Sequence, residues 1–168
     1  MLPVMTSRFH RPVDAPERIV IEGRDGPVTW TRCADCWGLE GEVPAELAEG
    51  SRRPDGDVTV MDGAPPETLA PAVHALPVYR TAPGASPAVA TGRLFVRLAE
   101  GHAATDARDR FAALGLAIAD VPKHAPHCAW LAPASGRAAD ALAELDALRA
   151  LPDVEHVEPQ LLQVRAFK

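Results

Sequence analysis

Two cysteines separated by two residues, Cys33 and Cys36, have the spacing found in zinc half-sites and in redox-active thiol pairs. A structural zinc site takes four ligands, usually including a second cysteine pair or two histidines. The other candidates, His124, His127 and Cys128, lie far along the chain in a different region. The sequence therefore leaves zinc binding, redox activity and ordinary packing open for this pair. Because one such pair alone is weak evidence for a metal or redox site, ordinary packing is the favoured interpretation, and no cofactor is expected.

The run His124-Ala-Pro-His127-Cys128 is the other cluster of metal-ligand residue types. It falls on a predicted connection between two strands, where polar side chains are expected without a metal. No nucleophile in the sequence has a base and an orienting partner at a recognisable spacing. The sequence accordingly predicts a protein that is not an enzyme.

Charge and hydropathy exclude two classes of partner. The net charge is −6 and no dense run of Lys and Arg occurs, so the basic footprint needed for nucleic acid is missing. No window approaches about 18 consecutive apolar residues, so we expect no membrane span. Three cysteines cannot pair completely. The N-terminus has no continuous apolar segment typical of a signal peptide, so we expect a cytoplasmic location, or secretion if a signal segment has been removed. In the cytoplasm the three thiols are expected to be reduced.

The first half of the chain is rich in proline and has the pattern of short strands. Residues 1–16 show no periodicity and are expected to form an arm. The β-rich runs 18–22 and 27–32 flank a turn that contains Asp-Gly, which is typical of a hairpin. We expect residues 17–81 to form a small β-rich domain and residues 82–91, rich in Pro and small residues, to form a linker.

The pattern changes at Gly92, after which strands and helices alternate. Strands are predicted over 93–98, 116–121, 127–132 and 154–158. One helix ends at Gly115, and another carries Ala138, Ala141, Leu142, Leu145 and Leu148 on its apolar face. Residues 92–159 are therefore expected to form an α+β domain of the ferredoxin-like β-α-β-β-α-β type, with both helices on one face of the sheet. Pro159 is expected to end the last strand, which leaves residues 160–168 as a free C-terminal tail.

Several stretches of this second half resemble a known family. They are Gly92-Arg-Leu-Phe-Val-Arg-Leu98, Phe111-Ala-Ala-Leu-Gly115, Ala141-Leu-Ala-Glu-Leu-Asp-Ala-Leu148 and Leu151-Pro-Asp-Val-Glu-His-Val-Glu-Pro159. Together they are similar to the propeptides of subtilisin-like serine proteases, the inhibitor I9 family. The resemblance covers about residues 92–160, and its last block is the most specific.

The resemblance implies a function as an inhibitor or folding chaperone of a subtilisin-like protease, acting in cis or in trans. The docking face, on the side of the sheet without helices, would carry Phe95, His156 and Glu158. The tail would lie in the substrate cleft by strand addition, through Gln163, Val164, Arg165, Ala166, Phe167 and Lys168. Glu155 and Glu158 are either solvated edge charges or caps for a partner's helix. The alternative is a ferredoxin-like interaction module for a partner that is not a protease.

Overall fold

The computed structural model describes residues 15–41, 51–52, 58–65 and 74–163. Its strands are β1 (Arg18–Gly23), β2 (Gly26–Arg32), β3 (Cys36–Glu40), β4 (Ser51–Arg52), β5 (Val58–Asp62), β6 (His74–Leu76), β7 (Val78–Arg80), β8 (Ala88–Leu98), β9 (Leu116–Asp120), β10 (Cys128–Pro133) and β11 (Val154–Gln163). A 3₁₀ turn (Ala104–Ala107) leads into α1 (Arg108–Ala113), and α2 (Ala138–Ala143) is followed by α3 (Leu145–Arg149).

The hairpin predicted at the start of the chain is confirmed. Strands β1 and β2 pair antiparallel from Arg18 opposite Thr31 to Gly23 opposite Gly26. Along β1, Ile19 and Ile21 are buried while their neighbours are exposed, as the alternation of side chains in a half-buried strand requires. The hairpin therefore turns one apolar face towards the core.

Strand β8 is the centre of a seven-stranded antiparallel sheet whose order is β1-β2-β7-β8-β10-β9, with β11 also paired to β8. Strand β11 follows β8 from Val154 opposite Leu98 to Gln163 opposite Ala88. Because β11 occupies one edge throughout, β7 and β10 share the other edge, at the start and at the end of β8. A second, four-stranded sheet has the order β4-β5-β3-β6.

Gly92 allows β8 to change partners along this edge. Its φ is +88°, in the region that favours glycine. The register between β8 and β11 shifts opposite it, between Pro159 and Leu161, and such irregularities bend a strand. A Cβ at Gly92 would lie 2.7 Å from the Cα of Ala138. The glycine therefore also lets the start of α2 pack directly on the strand.

The expected α+β, ferredoxin-like fold is wrong. Of the described residues, 49% lie in strands and 17% in helices, and the antiparallel sheet curls into a half-barrel. The physical reason lies in β8, which begins at Ala88 rather than near Gly92 and is therefore long enough to pair with β7. The β1–β2 hairpin joins the same sheet through β7, so the first and second halves of the chain share one sheet.

Both ends of the central strands differ from the expected segment boundaries. The predicted linker, 82–91, contains turns, but its last four residues open β8. Residues 160–163 of the predicted tail, 160–168, belong to β11, which continues past Pro159 to Gln163. Proline lacks an N–H but is tolerated beside an irregularity on an edge strand. The remaining tail residues, 164–168, lie outside the described residues, as do residues 1–14 of the predicted arm.

The main core lies on the face of β8 that carries Leu94, Val96 and Leu98. Phe111 of α1, together with buried residues of α2 and α3, packs against these side chains, and Ile19 and Ile21 reach the same cluster from β1. A second cluster joins the two sheets through buried residues that include Val60, Val78 and Val89. The helices therefore cover this face of β8.

Two hydrogen bonds hold the chain where the described part begins. The guanidinium of Arg32 donates to the carbonyl oxygen of Ala15. The hydroxyl of Tyr79, which is fully buried, donates to the carbonyl oxygen of Pro16 at 2.7 Å. The segment entering β1 is therefore fixed against β2 and β7.

Candidate functional site

An aromatic pair lies on the face of the seven-stranded sheet that the helices do not cover. Phe95 of β8 stands opposite Trp130 of β10 in the register of the sheet. The two rings meet edge to face, with centroids 5.3 Å apart and an interplanar angle of 62°. The alternation of β8 explains this placement, because Leu94 and Val96 on either side of Phe95 point into the main core.

Arg93 extends the pair into a three-part group. Its guanidinium carbon lies 5.3 Å from the centroid of the Trp130 ring, within the range of a cation–π contact worth about 0.5–1 kcal/mol when exposed. Phe95 and Trp130 are each only partly buried, and neither belongs to a core cluster. Aromatic and arginine side chains of this kind dominate the binding energy of protein interfaces.

Charged side chains border the aromatic pair on β11. Glu158 stands opposite Phe95, and His156 stands opposite Arg97. His156 Nε2 lies 3.3 Å from Glu158 Oε2, and Arg97 Nε lies 3.7 Å from Glu155 Oε2. These pairs are exposed and add little to stability. They do give the surface a pattern of both signs, which orients a partner more than it strengthens binding.

We call this surface, with its residues Arg93, Phe95, Arg97, Trp130, Glu155, His156 and Glu158, the aromatic face. The structure brings the predicted residues Phe95, His156 and Glu158 together on it. Sequence reasoning missed Trp130 and Arg93. The alternation of 127–132 puts Trp130 out of phase with the buried residues Ala129 and Leu131, and this signal was present in the sequence. The register that places Trp130 opposite Phe95 could not be read from the sequence.

The predicted cleft-binding tail is only partly described. The backbone of Gln163 pairs with Ala88 at the end of β11, so this residue is part of the sheet. Residues 164–168 lie outside the described residues.

A cleft of about 300 Å³ lies between the β1–β2 hairpin and β11. Ile21, Trp30 and Leu161 supply apolar lining, and Glu22 and Glu158 line it as well. Glu158 therefore belongs both to this cleft and to the aromatic face. On β1, the carbonyl oxygen of Val20 accepts a hydrogen bond of 2.6 Å from the guanidinium of Arg149 in α3. This bond holds α3 against β1.

Cys33 and Cys36 lie on the turn that leaves β2 and enters β3, so they stand where the chain passes from one sheet to the other. Asp35 lies between them, and the ligand atoms of all three side chains fall within 4.8 Å of one another. In the described part of the chain, His124, His127 and Cys128 form no such group with them. Sequence reasoning missed Asp35.

Burial favours the protonated form of both thiols. Burial raises the pKa of Cys33, although the positive charge of Arg80 opposes the shift. Burial also raises the pKa of Cys36, to about 12, and the neighbouring Cys33 adds to the effect. Because the thiolate is the nucleophile, both side chains are slow to react as the structure stands. All three cysteines of the chain are free.

No protein-family model, curated protein or solved structure matches this chain. In the part of the chain that the structure describes, no helix has both the length and the apolar character needed to cross a bilayer.

Proposed function

We propose that this chain is a non-catalytic protein that binds a partner protein through the aromatic face. A subtilisin-like serine protease is the partner class to test first, with the chain acting as its inhibitor or folding chaperone. The choice of partner rests on the resemblance of residues 92–160 to protease propeptides, above all in the run 151–159. The free state of all three cysteines supports a cytoplasmic location as part of the same proposal.

The Phe95–Trp130 pair is the observation that carries the proposal. Two large aromatic rings lie partly exposed on a sheet face, outside the core clusters, with the Arg93 guanidinium over one of them. Each ring can be covered by a partner at low cost in conformational entropy, because the pair already fixes its orientation. The charge pairs beside it, at Arg97 and His156, would form the polar rim of such an interface.

The pairing of β11 up to Gln163 constrains how a protease would be inhibited. For residues 164–168 to enter its cleft, a protease docked on the aromatic face would have to bring that cleft close to the end of β11. Strand addition by residues 164–168 would then supply main-chain hydrogen bonds inside the cleft.

The test is a titration of subtilisin with the purified full-length protein, following hydrolysis of a chromogenic peptide. We expect Phe95→Ala and Trp130→Ala each to weaken inhibition about 30-fold, the effect of an interface side chain worth about 2 kcal/mol. Val20→Ala is the matched control, since Val20 is 42% exposed and belongs to β1 rather than to the aromatic face. This control variant should inhibit like the wild type.

A chain ending at Gln163 separates docking from occupation of the cleft. It should still bind subtilisin, as measured by calorimetry, but should inhibit it less. Equal inhibition by the full and shortened chains would exclude the tail from the cleft. If neither chain binds, the protease assignment is wrong.

The second candidate is a binding module for a partner that is not a protease. The pairing of Gln163 within β11 favours it, because this residue, expected to lie in a protease cleft, is held in the sheet instead. A photo-reactive amino acid placed at Phe95 would capture such a partner in cells. A genuine partner should be lost when Trp130→Ala is added and retained with Val20→Ala.

A further inference from the structure

The Cys33–Cys36 turn is held in place at both ends by backbone hydrogen bonds. The N–H of Cys33 donates to the carbonyl oxygen of Val78 at 2.8 Å, and the N–H of Gly63 donates to the carbonyl oxygen of Asp35 at 2.8 Å. These bonds tie the turn to β7 on one side and to the end of β5 on the other. The backbone of the turn is therefore pre-organised, which lowers the ordering cost of binding a ligand.

The donor atoms on this turn suit a borderline-soft metal ion. Two cysteine sulfurs and one carboxylate oxygen lie within 4.8 Å of one another. Zn²⁺ binds cysteine sulfur at about 2.3 Å and carboxylate oxygen at about 2.0–2.2 Å, which places ligands around one ion at separations of this size. Mg²⁺ and Ca²⁺ prefer oxygen ligands throughout and are disfavoured here.

Arg80 supplies a second observation that points to thiolate at this site. Its Nη1 lies 3.2 Å from Asp35 Oδ1, while its Nε is buried and has no hydrogen-bond partner in the described part of the chain. A buried donor without an acceptor is costly. The positive charge of Arg80 also acts to lower the pKa of both thiols, against the larger effect of burial. A thiolate sulfur would provide the acceptor that a protonated thiol provides poorly.

The charges of the site balance when an ion binds. Without metal, protonated thiols are neutral, and Asp35 and Arg80 carry opposite charges. A divalent ion replaces the two thiol protons: Zn²⁺ plus two R–SH gives Zn(SR)₂ plus two H⁺. The ion's two positive charges offset the two thiolates, and the Asp35–Arg80 pair again sums to zero. The site therefore gains no net charge, which lowers the electrostatic cost of binding an ion beside the buried Cys36.

We propose that Cys33 Sγ, Cys36 Sγ and an Asp35 carboxylate oxygen bind one Zn²⁺ ion, with water at the fourth position and Arg80 as a hydrogen-bond donor to a thiolate. The ion would fasten the turn between β2 and β3, where the two sheets are joined. This site is remote in sequence from the aromatic face and does not depend on the function proposed for that face.

The test uses the full-length protein, first treated with a reductant and a chelator and then titrated with Zn²⁺ against a competing chromogenic chelator. One equivalent should bind, and about two protons should be released per ion in weakly buffered solution. Co²⁺ as a substitute should give a sulfur-to-metal charge-transfer band with the intensity of two thiolates. The melting temperature should rise with the concentration of free Zn²⁺.

Variants then assign the ligands. Cys33→Ser and Cys36→Ser should each lower zinc affinity at least about 100-fold, and Asp35→Asn and Arg80→Met about 10–100-fold. Cys128→Ser is the matched control, because Cys128 is a buried cysteine of β10 outside the group, and it should bind zinc like the wild type. The half-exposed position of Cys33 keeps Cys33→Ser informative if Cys36→Ser does not fold.

Three results would overturn the proposal. One is the lack of saturable binding of a single Zn²⁺ by the reduced wild-type protein. The second is a Co²⁺ spectrum without thiolate charge transfer, which needs no variant. The third is equal loss of affinity in Cys128→Ser and Cys33→Ser.

Discussion

Replacing Gly92 by alanine should destabilise the protein through two separate effects. Gly92 has φ +88°, and an L-residue there costs about 1–2 kcal/mol. A Cβ at this position would also lie 2.7 Å from the Cα of Ala138, 3.0 Å from its Cβ and 3.4 Å from its backbone nitrogen. Because the closest atom belongs to the backbone of α2, the helix has to move, which costs about a further 1–3 kcal/mol.

Gly84 provides a matched control for the first effect. Its φ is +82°, yet a Cβ there would meet no atom within 4 Å. Gly84→Ala should therefore carry only the conformational cost of about 1–2 kcal/mol. Both substitutions restrict the unfolded chain equally, so this contribution cancels in the comparison. Gly92→Ala should be the less stable variant by about 1–3 kcal/mol, which is the cost of displacing α2.

Urea unfolding followed by tryptophan fluorescence measures this difference. With a slope of about 1–3 kcal/mol per M, the midpoint for Gly92→Ala should fall about 1 M below that for Gly84→Ala. A typical domain has about 5–15 kcal/mol of stability, so both variants should still fold. Equal midpoints would show that α2 does not pack directly on β8 at Gly92.

Four further predictions concern buried groups. Gly38→Ala should lower the free energy of unfolding by about 1–3 kcal/mol, because the new Cβ would lie 2.7 Å from Val89 Cγ1 where the two sheets meet. Urea unfolding measures this loss, and an unchanged free energy would contradict the contact between the sheets. Tyr79→Phe should cost about 0.5–1.5 kcal/mol, since it removes the hydrogen bond to Pro16. Burial raises the pKa of Tyr79 above its ordinary value of 10.0. The stabilisation of the folded state by the protonated hydroxyl is therefore fully present below pH 10, and it is lost as the pH rises through the folded-state pKa. Tyr79 is the only tyrosine, so phenolate absorbance should appear at higher pH in folded than in unfolded protein, and coincident titrations would refute the shift. Finally, Cys36 should react with iodoacetamide far more slowly at pH 8 in the folded metal-free protein than in urea, because burial raises its pKa to about 12; equal rates, read by peptide mass spectrometry, would contradict its burial.

Local patterns in the sequence predicted elements that depend on nearby residues. The β1–β2 hairpin follows from two β-rich runs and a turn containing Asp25 and Gly26, and the structure confirms it. The alternation of β8 separates Leu94 and Val96 from Phe95, and this periodicity is a property of the strand alone. The residues chosen from that alternation and from the family resemblance, Phe95, His156 and Glu158, do lie on one face of the sheet.

The lengths of β8 and β11 and the sheet to which each strand belongs could not be predicted from nearby residues. Gly92 and Pro159 have the residue types that usually end a strand, yet both lie inside one, because β8 and β11 pair across the irregularity between them. This pairing is favourable only once both strands are present. Because of this pairing β8 begins at Ala88, and there it pairs with β7, which belongs to the first half of the chain. The ferredoxin-like expectation failed at this point.

The sequence by itself determined which residues alternate along each strand, where the hairpin turns, and that two cysteines stand two residues apart. Only the tertiary structure decided which of these groups meet. Trp130 reaches Phe95 through the pairing of β10 with β8, and Arg80 reaches Asp35 across 45 residues. Contacts of this kind depend on strand register and on how the sheet curls, and both are set by the packing of the whole chain rather than by any one segment.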